Sequence, residues 1–181
     1  MIQAQLHFIP SIADGSSLLI LGGGTGWWLE ELLKHKPGVH VVFVDIADQM
    51  IQLASNRMKG SARVKFIEGT VTDIPADLKV DYVVTHFYLD LIPESQLSQS
   101  IIEIVRHLKP GGRWMVTDFM PPAKWNHRII SWIMHRFFRI WTRHPNSRLI
   151  NWEQSLMNNG LNLVSEAYYF DGFIKTGLYR Y

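Results

Sequence analysis

Short apolar runs alternate with longer amphipathic stretches along this chain, the pattern of strands interleaved with helices. Leu18-Leu19-Ile20-Leu21 and His40-Val41-Val42-Phe43-Val44 are the clearest runs and predict buried strands near 18–21 and 40–44. Further strands are expected near 64–67, 80–85 and 113–118. Helices are expected near 26–35, 48–58, 94–107 and 150–159. Lys36-Pro37-Gly38 ends the first helix and Asn158-Asn159-Gly160 the last. Residues 161–170 and 173–181 read as two strands around Asp171-Gly172, a hairpin signal. Residues 1–17 are expected to be a short lead-in with a turn at Asp14-Gly15-Ser16-Ser17. This order implies an α/β fold built on a doubly wound, mostly parallel sheet.

The junction after the first run carries the chemistry. Gly22-Gly23-Gly24-Thr25-Gly26 lies between a strand and the helix-compatible segment Trp27 to Leu33. Glycines there let the backbone approach a ligand that a side chain would exclude. Asp45 closes the second run, about 20 residues downstream, where such folds bind ribose hydroxyls. Gly22, Gly24 and Gly26 fit G-x-G-x-G. The dinucleotide fingerprint G-x-G-x-x-G would need glycine at Trp27, and starting from Gly23 puts Thr25 at its second glycine. The turn therefore favours an adenosyl ligand without a pyrophosphate over a nicotinamide cofactor.

The glycine turn, Asp45 and several segments downstream together resemble the class I S-adenosylmethionine-dependent methyltransferases. Asp45-Ile46-Ala47-Asp48-Gln49-Met50 is similar to the family's second motif. Phe66 to Pro75 is similar to its adenine-binding segment, and Asp81-Tyr82-Val83-Val84-Thr85 to its fourth strand. Leu108-Lys109-Pro110-Gly111-Gly112 is similar to the turn before the fifth strand, and the order holds from about Leu18 to Phe119. The resemblance implies a Rossmann-like sheet of seven strands with a reversed C-terminal strand. It implies S-adenosylmethionine as co-substrate and no metal. The cofactor set it implies is Gly22, Gly23, Gly24, Gly26, Asp45, Ile46, Met50, Thr70, Val71 and Thr85. Two positions depart from the family. Ile20 stands where an acidic residue usually supports the methionine amino group. Thr70 stands where the adenine segment often carries an acid, with Asp73 nearby as a second acceptor.

Composition narrows the chemistry. At 181 residues, 47% hydrophobic and 19% charged, the chain reads as one globular domain spanning 1–181. A net charge of +2 gives no argument for nucleic acid. Met1 to Ile9 lacks a basic region followed by a long apolar core, so a cytoplasmic location is expected. The chain has no cysteine. That excludes disulfides, thiolate metal sites, a radical iron–sulfur cluster and methylation through a cysteine nucleophile. With S-adenosylmethionine, the co-substrate that the resemblance implies, the chemistry is expected to be polar displacement at its sulfonium methyl.

An added segment at about 120–146 follows the fifth strand. On a helical wheel over 125–143, Arg128, His135, Arg136, Arg139 and Arg143 share an arc of roughly 100°, and Trp132 falls among them. Ile129, Ile130, Ile133, Met134, Phe137, Phe138, Ile140 and Trp141 cover the opposite side. Three readings stand: a packed helix with a solvated basic face, a lid over an acceptor pocket, and an interfacial helix making peripheral membrane contact.

Transfer of methyl needs positioning, exclusion of water and, for some acceptors, a base. His86, directly after the fourth strand, and Asp118 are the catalytic candidates. Asp118 has a second reading, ordering the loop around the acceptor. Tyr88, Phe137 and Trp141 are acceptor-pocket candidates, and Asp90 and His127 are further polar residues at the mouth. The expected partner is a small, partly apolar molecule. A nucleic-acid substrate ranks lower, because Thr85-His86-Phe87-Tyr88 is not the Asn/Asp-Pro-Pro-Tyr/Phe segment of amino-methylating enzymes. A noncatalytic adenosyl-ligand-binding or membrane-associated regulator is the alternative, ahead of a nicotinamide oxidoreductase. The sequence does not fix the oligomeric state.

Overall fold

Seven strands form one sheet in the order β3-β2-β1-β4-β5-β7-β6 in a computed structural model of the chain. The structure describes residues 1–58, 61–121 and 150–181. The strands are β1 (Ser17–Leu21), β2 (His40–Asp45), β3 (Val64–Glu68), β4 (Val80–His86), β5 (Leu108–Phe119), β6 (Asn162–Tyr169) and β7 (Ile174–Arg180). The helices are α1 (Ile2–Leu6), α2 (Trp27–His35), α3 (Asp48–Arg57), α4 (Glu94–Val105) and α5 (Trp152–Asn158). β1 to β5 pair in parallel, while β7 runs antiparallel to both β5 and β6. The expected doubly wound sheet with a reversed last strand is therefore present.

The central strands β1, β2, β4 and β5 are largely buried, because they are apolar at successive positions. Leu18 and Ile20 pack with Trp28, Leu29 and Leu32 of α2 and Ala54 of α3. Leu19 and Leu21 pack on the other face with Leu97, Ile101 and Ile104 of α4 and Trp152 and Leu156 of α5. Strand order reverses between β1 and β4, and this opens a crevice at their carboxyl ends.

Three local features differ from the sequence expectations. The lead-in holds helix α1, and Phe8, Ile9 and Ile12 enter the core against α2. The Trp28 indole N–H donates to the Gln5 carbonyl at 2.8 Å, which fixes α1 beside α2. No hydrophobic period long enough to signal a helix exists over five residues, so tertiary packing decides it. The expected turn at 108–112 is instead a bulge inside β5. Val80 pairs with Leu108 and Tyr82 with Arg113, so Lys109 to Gly112 bow outward opposite Asp81. The hairpin loop is also wider than Asp171-Gly172. Tyr169 pairs with Ile174, and Phe170, Asp171 and Gly172 all take positive φ. The amphipathic segment at 125–143, with Phe137, Trp141 and His127, lies outside the described residues.

Two ionic groups tie the elements together. Lys175 is buried and pairs with Glu153 of α5 and with Glu166 of β6 at 2.5 Å. Burial pulls its ammonium down, but the bonds to both carboxylates outweigh this and raise its pKa. At the opposite end of the sheet, Asp81 accepts from the Ser17 amide at 2.8 Å, the Ser17 hydroxyl at 2.7 Å and the Lys109 ammonium at 2.8 Å.

Burial alone would raise the Asp81 carboxyl, yet the Lys109 and Ser17 bonds hold it at about 2, below its ordinary value of 3.8. Its contribution to stability is thus complete above about pH 4 and is lost as pH falls through about 2. In Asp81→Asn, urea midpoints should fall less steeply across that window than in the native protein. Matching acid limbs would contradict this account of Asp81.

Candidate active site

The glycine turn forms because the backbone leaves β1 in conformations that side chains resist. Gly22, Gly24 and Gly26 take φ of 63°, 59° and 74°. Gly22, Gly23 and Gly26 also each meet a different neighbour. A Cβ on Gly22 would lie 2.5 Å from the Tyr88 ring, and one on Gly23 only 2.1 Å from the Phe43 ring. A Cβ on Gly26 would lie 2.7 Å from that of Ala54, so this glycine brings α2 onto α3. Gly24 faces open space.

Asp45 holds the turn from the side. Its Oδ2 accepts from the Gly24 amide at 2.8 Å and its Oδ1 from the Ala47 amide at 3.0 Å. Both oxygens retain lone pairs for further donors. The Gly22 amide donates to the Val44 carbonyl at 2.9 Å, closing the junction between β1 and β2.

Two cavities share Leu21 and Gly22 as lining residues. The larger, of about 590 Å³, is walled by Asp45, Ile46, Thr70 and Val71 on strand ends and by Phe87, Tyr88, Leu91 and Ile92 after β4. Gln96, Ser100 and Glu103 of α4 also reach it. The smaller, of about 250 Å³, is walled by Gly22 to Thr25, Gln5, Trp27, Trp28, Phe43 and His86. Tyr88 lies on Gly22 beside the boundary. Burial and the nearby Asp45 charge raise its phenol pKa.

Of the ten cofactor residues expected from sequence, seven line these cavities: Gly22, Gly23, Gly24, Asp45, Ile46, Thr70 and Val71. Gly26, Met50 and Thr85 do not. Thr85 is fully buried and its hydroxyl accepts from the Trp114 indole at 2.9 Å, so it belongs to the core. Met50 sits on the first turn of α3, off both walls. Thr70 lines the larger cavity, whereas the Asp73 carboxylate accepts from the Thr70 amide at 2.7 Å and is off the wall. Those bonds lower the Asp73 pKa.

The two catalytic candidates have different settings. Asp118 is fully buried and lines neither cavity. Its carboxylate accepts from the amides of Tyr88 at 3.1 Å, Leu89 at 2.9 Å and Phe119 at 2.8 Å. This is the loop-ordering arrangement: it fixes the turn that carries Tyr88. Burial and the neighbouring Asp90 carboxylate push its pKa up, against the pull of the amides. His86 does line the smaller cavity. Its ring stands edge-on to Trp28 with centroids 4.9 Å apart. Both ring nitrogens are shielded from solvent and have no hydrogen-bond partner among the described residues. Burial lowers its pKa to about 3, so the ring is neutral at physiological pH and a poor proton acceptor.

Sequence reasoning missed Gln5, Trp27, Trp28 and Phe43, and the polar row on α4. Gln96, Ser100 and Glu103 follow i, i+4, i+7 spacing on a helix whose other face is apolar, a signal that was available.

The family profile described as a methyltransferase domain matches residues 18–112. A demethylmenaquinone methyltransferase of Clavibacter sepedonicus is 34% identical over 109 residues, which is 60% of this chain and 43% of that protein. A malonyl-[acyl-carrier protein] O-methyltransferase of Paenibacillus sp. is 29% identical over 161 residues, 84% of this chain and 57% of that protein. The chain thus spans about half the length of curated relatives it matches. The N-methyltransferase NodS of Bradyrhizobium japonicum, solved with S-adenosyl-l-homocysteine, superimposes with a TM-score of 0.71 at 16% identity, over 99% of this chain and 82% of that one. That likeness concerns the fold.

Gly23→Ala should cost about 1–3 kcal/mol of stability, the scale of overpacking. In a Phe43→Leu background the added methyl gains room, and the same change should cost clearly less. Paired urea titrations measure the coupling. Strictly additive losses would show that Phe43 is not what excludes a side chain at Gly23.

Proposed function

The chain belongs to the class I S-adenosylmethionine-dependent methyltransferases, and on that premise we propose that it transfers a methyl group from S-adenosylmethionine to a small, partly apolar acceptor. The observation that carries the reading is the pair of cavities that share Gly22, with Asp45 anchoring the glycine turn.

The residues present suit an adenosyl ligand. Asp45 has lone pairs left for ribose hydroxyls. Ile46 and Val71 offer apolar surface for a base, and the Thr70 hydroxyl can accept from an amino group. Absence of side chains at Gly22 and Gly23 keeps a ligand-sized approach to the backbone open. When bound, S-adenosylmethionine supplies an electrophilic methyl on a sulfonium sulfur with a good leaving group. The protein's part is then to orient the partners and exclude water. Asp118 serves this by fixing the 88–90 turn, and Tyr88 by walling the junction. Phe87, Leu91 and Ile92 give the acceptor side an apolar surface. His86, held neutral and weakly basic, is not well suited as the base, which supports a reaction driven by positioning.

Acceptors with a hydroxyl or an activated carbon must release a proton, and the identity of the acceptor follows from turnover assays on a metabolite panel. Peripheral membrane contact through 125–143 fits an apolar acceptor and is tested by vesicle sedimentation. Among the described residues no helix is long and apolar enough to cross a membrane.

Asp45→Ala should weaken binding of S-adenosylhomocysteine by roughly 1.5–3 kcal/mol, the scale of hydrogen bonds to a charged group. Calorimetry checks it. Tight NADH binding by the native protein, with no adenosyl ligand bound, would overturn the reading. Cofactor binding without turnover on any acceptor would favour the noncatalytic alternative.

A further inference from the structure

The hairpin between β6 and β7 breaks the rule of its own turn. Tyr169 to Gly172 close tightly, with the Gly172 amide donating to the Tyr169 carbonyl at 3.2 Å. Both central residues, Phe170 and Asp171, take positive φ, of 51° and 55°. That geometry favours Asn, Asp or Gly, which tolerate the left-handed region. Asp171 suits its place and Phe170 does not. Nor does the protein bury the ring in return, since Phe170 is 62% exposed. A local rule broken without an internal gain marks a functional position.

Phe170 is not alone. With Met1, Ile2, Gln3 and Tyr169 it walls an open groove of about 610 Å³, and no lining side chain carries a charge. Met1 and Ile2 are also more than half exposed. Single exposed apolar residues are ordinary, whereas a cluster marks contact with a protein or a membrane. The Tyr169 hydroxyl bonds the His7 ring at 2.9 Å and ties the hairpin to the end of α1. Tyr169 pairs with Ile174, and Ile174 with Phe119 at the end of β5. Phe119 packs on Phe87, which walls the larger cavity. The apolar cluster and the crevice therefore lie at the same edge of the sheet.

Size selects the partner. Five residues fall far below the roughly 20–30 a side of a stable protein interface, so a second copy gains too little here. A lipid surface needs no matching shape and rewards each apolar side chain that enters it. We propose that Phe170, Ile2 and Met1 insert into the headgroup boundary of a neutral bilayer. The contact uses no basic residue and is separate from the 125–143 segment. Its purpose rests on the function proposed above: it turns the crevice toward the bilayer, so that an apolar acceptor reaches the site without crossing water.

The absence of cysteine from the chain permits a site-specific test. Single-cysteine variants Phe170→Cys, Ile2→Cys and Leu53→Cys carry an environment-sensitive fluorophore and are mixed with phosphatidylcholine vesicles. Leu53 is an exposed apolar residue on α3, at the other end of the sheet. Probes at 170 and 2 should shift to the blue and be quenched by brominated acyl chains, and the probe at 53 should not. Phe170→Asn should lower partitioning onto the same vesicles roughly 10- to 100-fold, the range for withholding one large apolar side chain. Asparagine suits the turn, so the melting temperature of Phe170→Asn should equal or exceed native. Apolar insertion should also survive high salt, which screens attraction between charges. No partitioning of the native protein, or partitioning with a silent probe at 170, would overturn the proposal. Binding restricted to anionic vesicles and abolished by salt would assign the contact to basic residues instead. A dimer lost in Phe170→Asn, without vesicle binding, would assign the patch to a second copy. Calorimetry with S-adenosylhomocysteine reads the cofactor separately: native protein that inserts yet binds no adenosyl ligand keeps the docking surface and sinks the function.

Discussion

The contact between Asp45 and the glycine turn is the constraint on which the site depends. One carboxylate at the end of β2 accepts from Gly24 after β1 and from Ala47 before α3. It therefore sets the path of the chain at the point where the sheet changes direction. A carboxylate accepting backbone amides is a strong anchor, since both bonds are charge-assisted. The turn it holds could not be made by residues with side chains. Tyr88 occupies one side of Gly22 and Phe43 one side of Gly23. The anchor, the missing side chains and the two aromatic rings together shape two cavities with Gly22 in the wall of both.

A second carboxylate plays a matching part across the crevice. Asp118 lies inside the protein and gathers the amides that follow β4. Phe87, at the entrance to that turn, takes φ of 52°, a conformation most side chains avoid. The Asp118 bonds and the packing of Phe87 on Phe119, with ring centroids 4.8 Å apart, hold it there. The walls of the crevice are thus fixed by backbone bonds to buried acids. Their rigidity suits a reaction in which alignment contributes most of the rate.

Much of this was legible in the sequence. Continuous apolar runs located β1, β2 and β4, because a strand buried on both faces needs no alternation. The spacing of Gly22, Gly24 and Gly26 with Asp45 located the turn and its anchor. Side-chain detail was less legible. Thr85 sits in the fourth-strand motif, yet its hydroxyl is consumed by Trp114, a partner 29 positions away. Met50 follows Asp45 in the expected order, but α3 turns it off the wall. α1 is too short for periodicity to reveal, and its long-range contacts, among them the Trp28 indole bond to the Gln5 carbonyl, place Gln5 on the smaller cavity. Local pattern found the backbone of the site; long-range contacts decided which side chains line it.

The central claim is that one adenosyl ligand spans both cavities across Gly22. A crystal structure of the protein grown with S-adenosylhomocysteine tests it most directly. The account predicts ribose hydroxyls on Asp45, with its bonds to Gly24 and Ala47 retained. The base should lie between Ile46 and Val71, and the amino-acid tail along Gly22 to Thr25. A ligand confined to one cavity, or bound with Asp45 untouched, would contradict it.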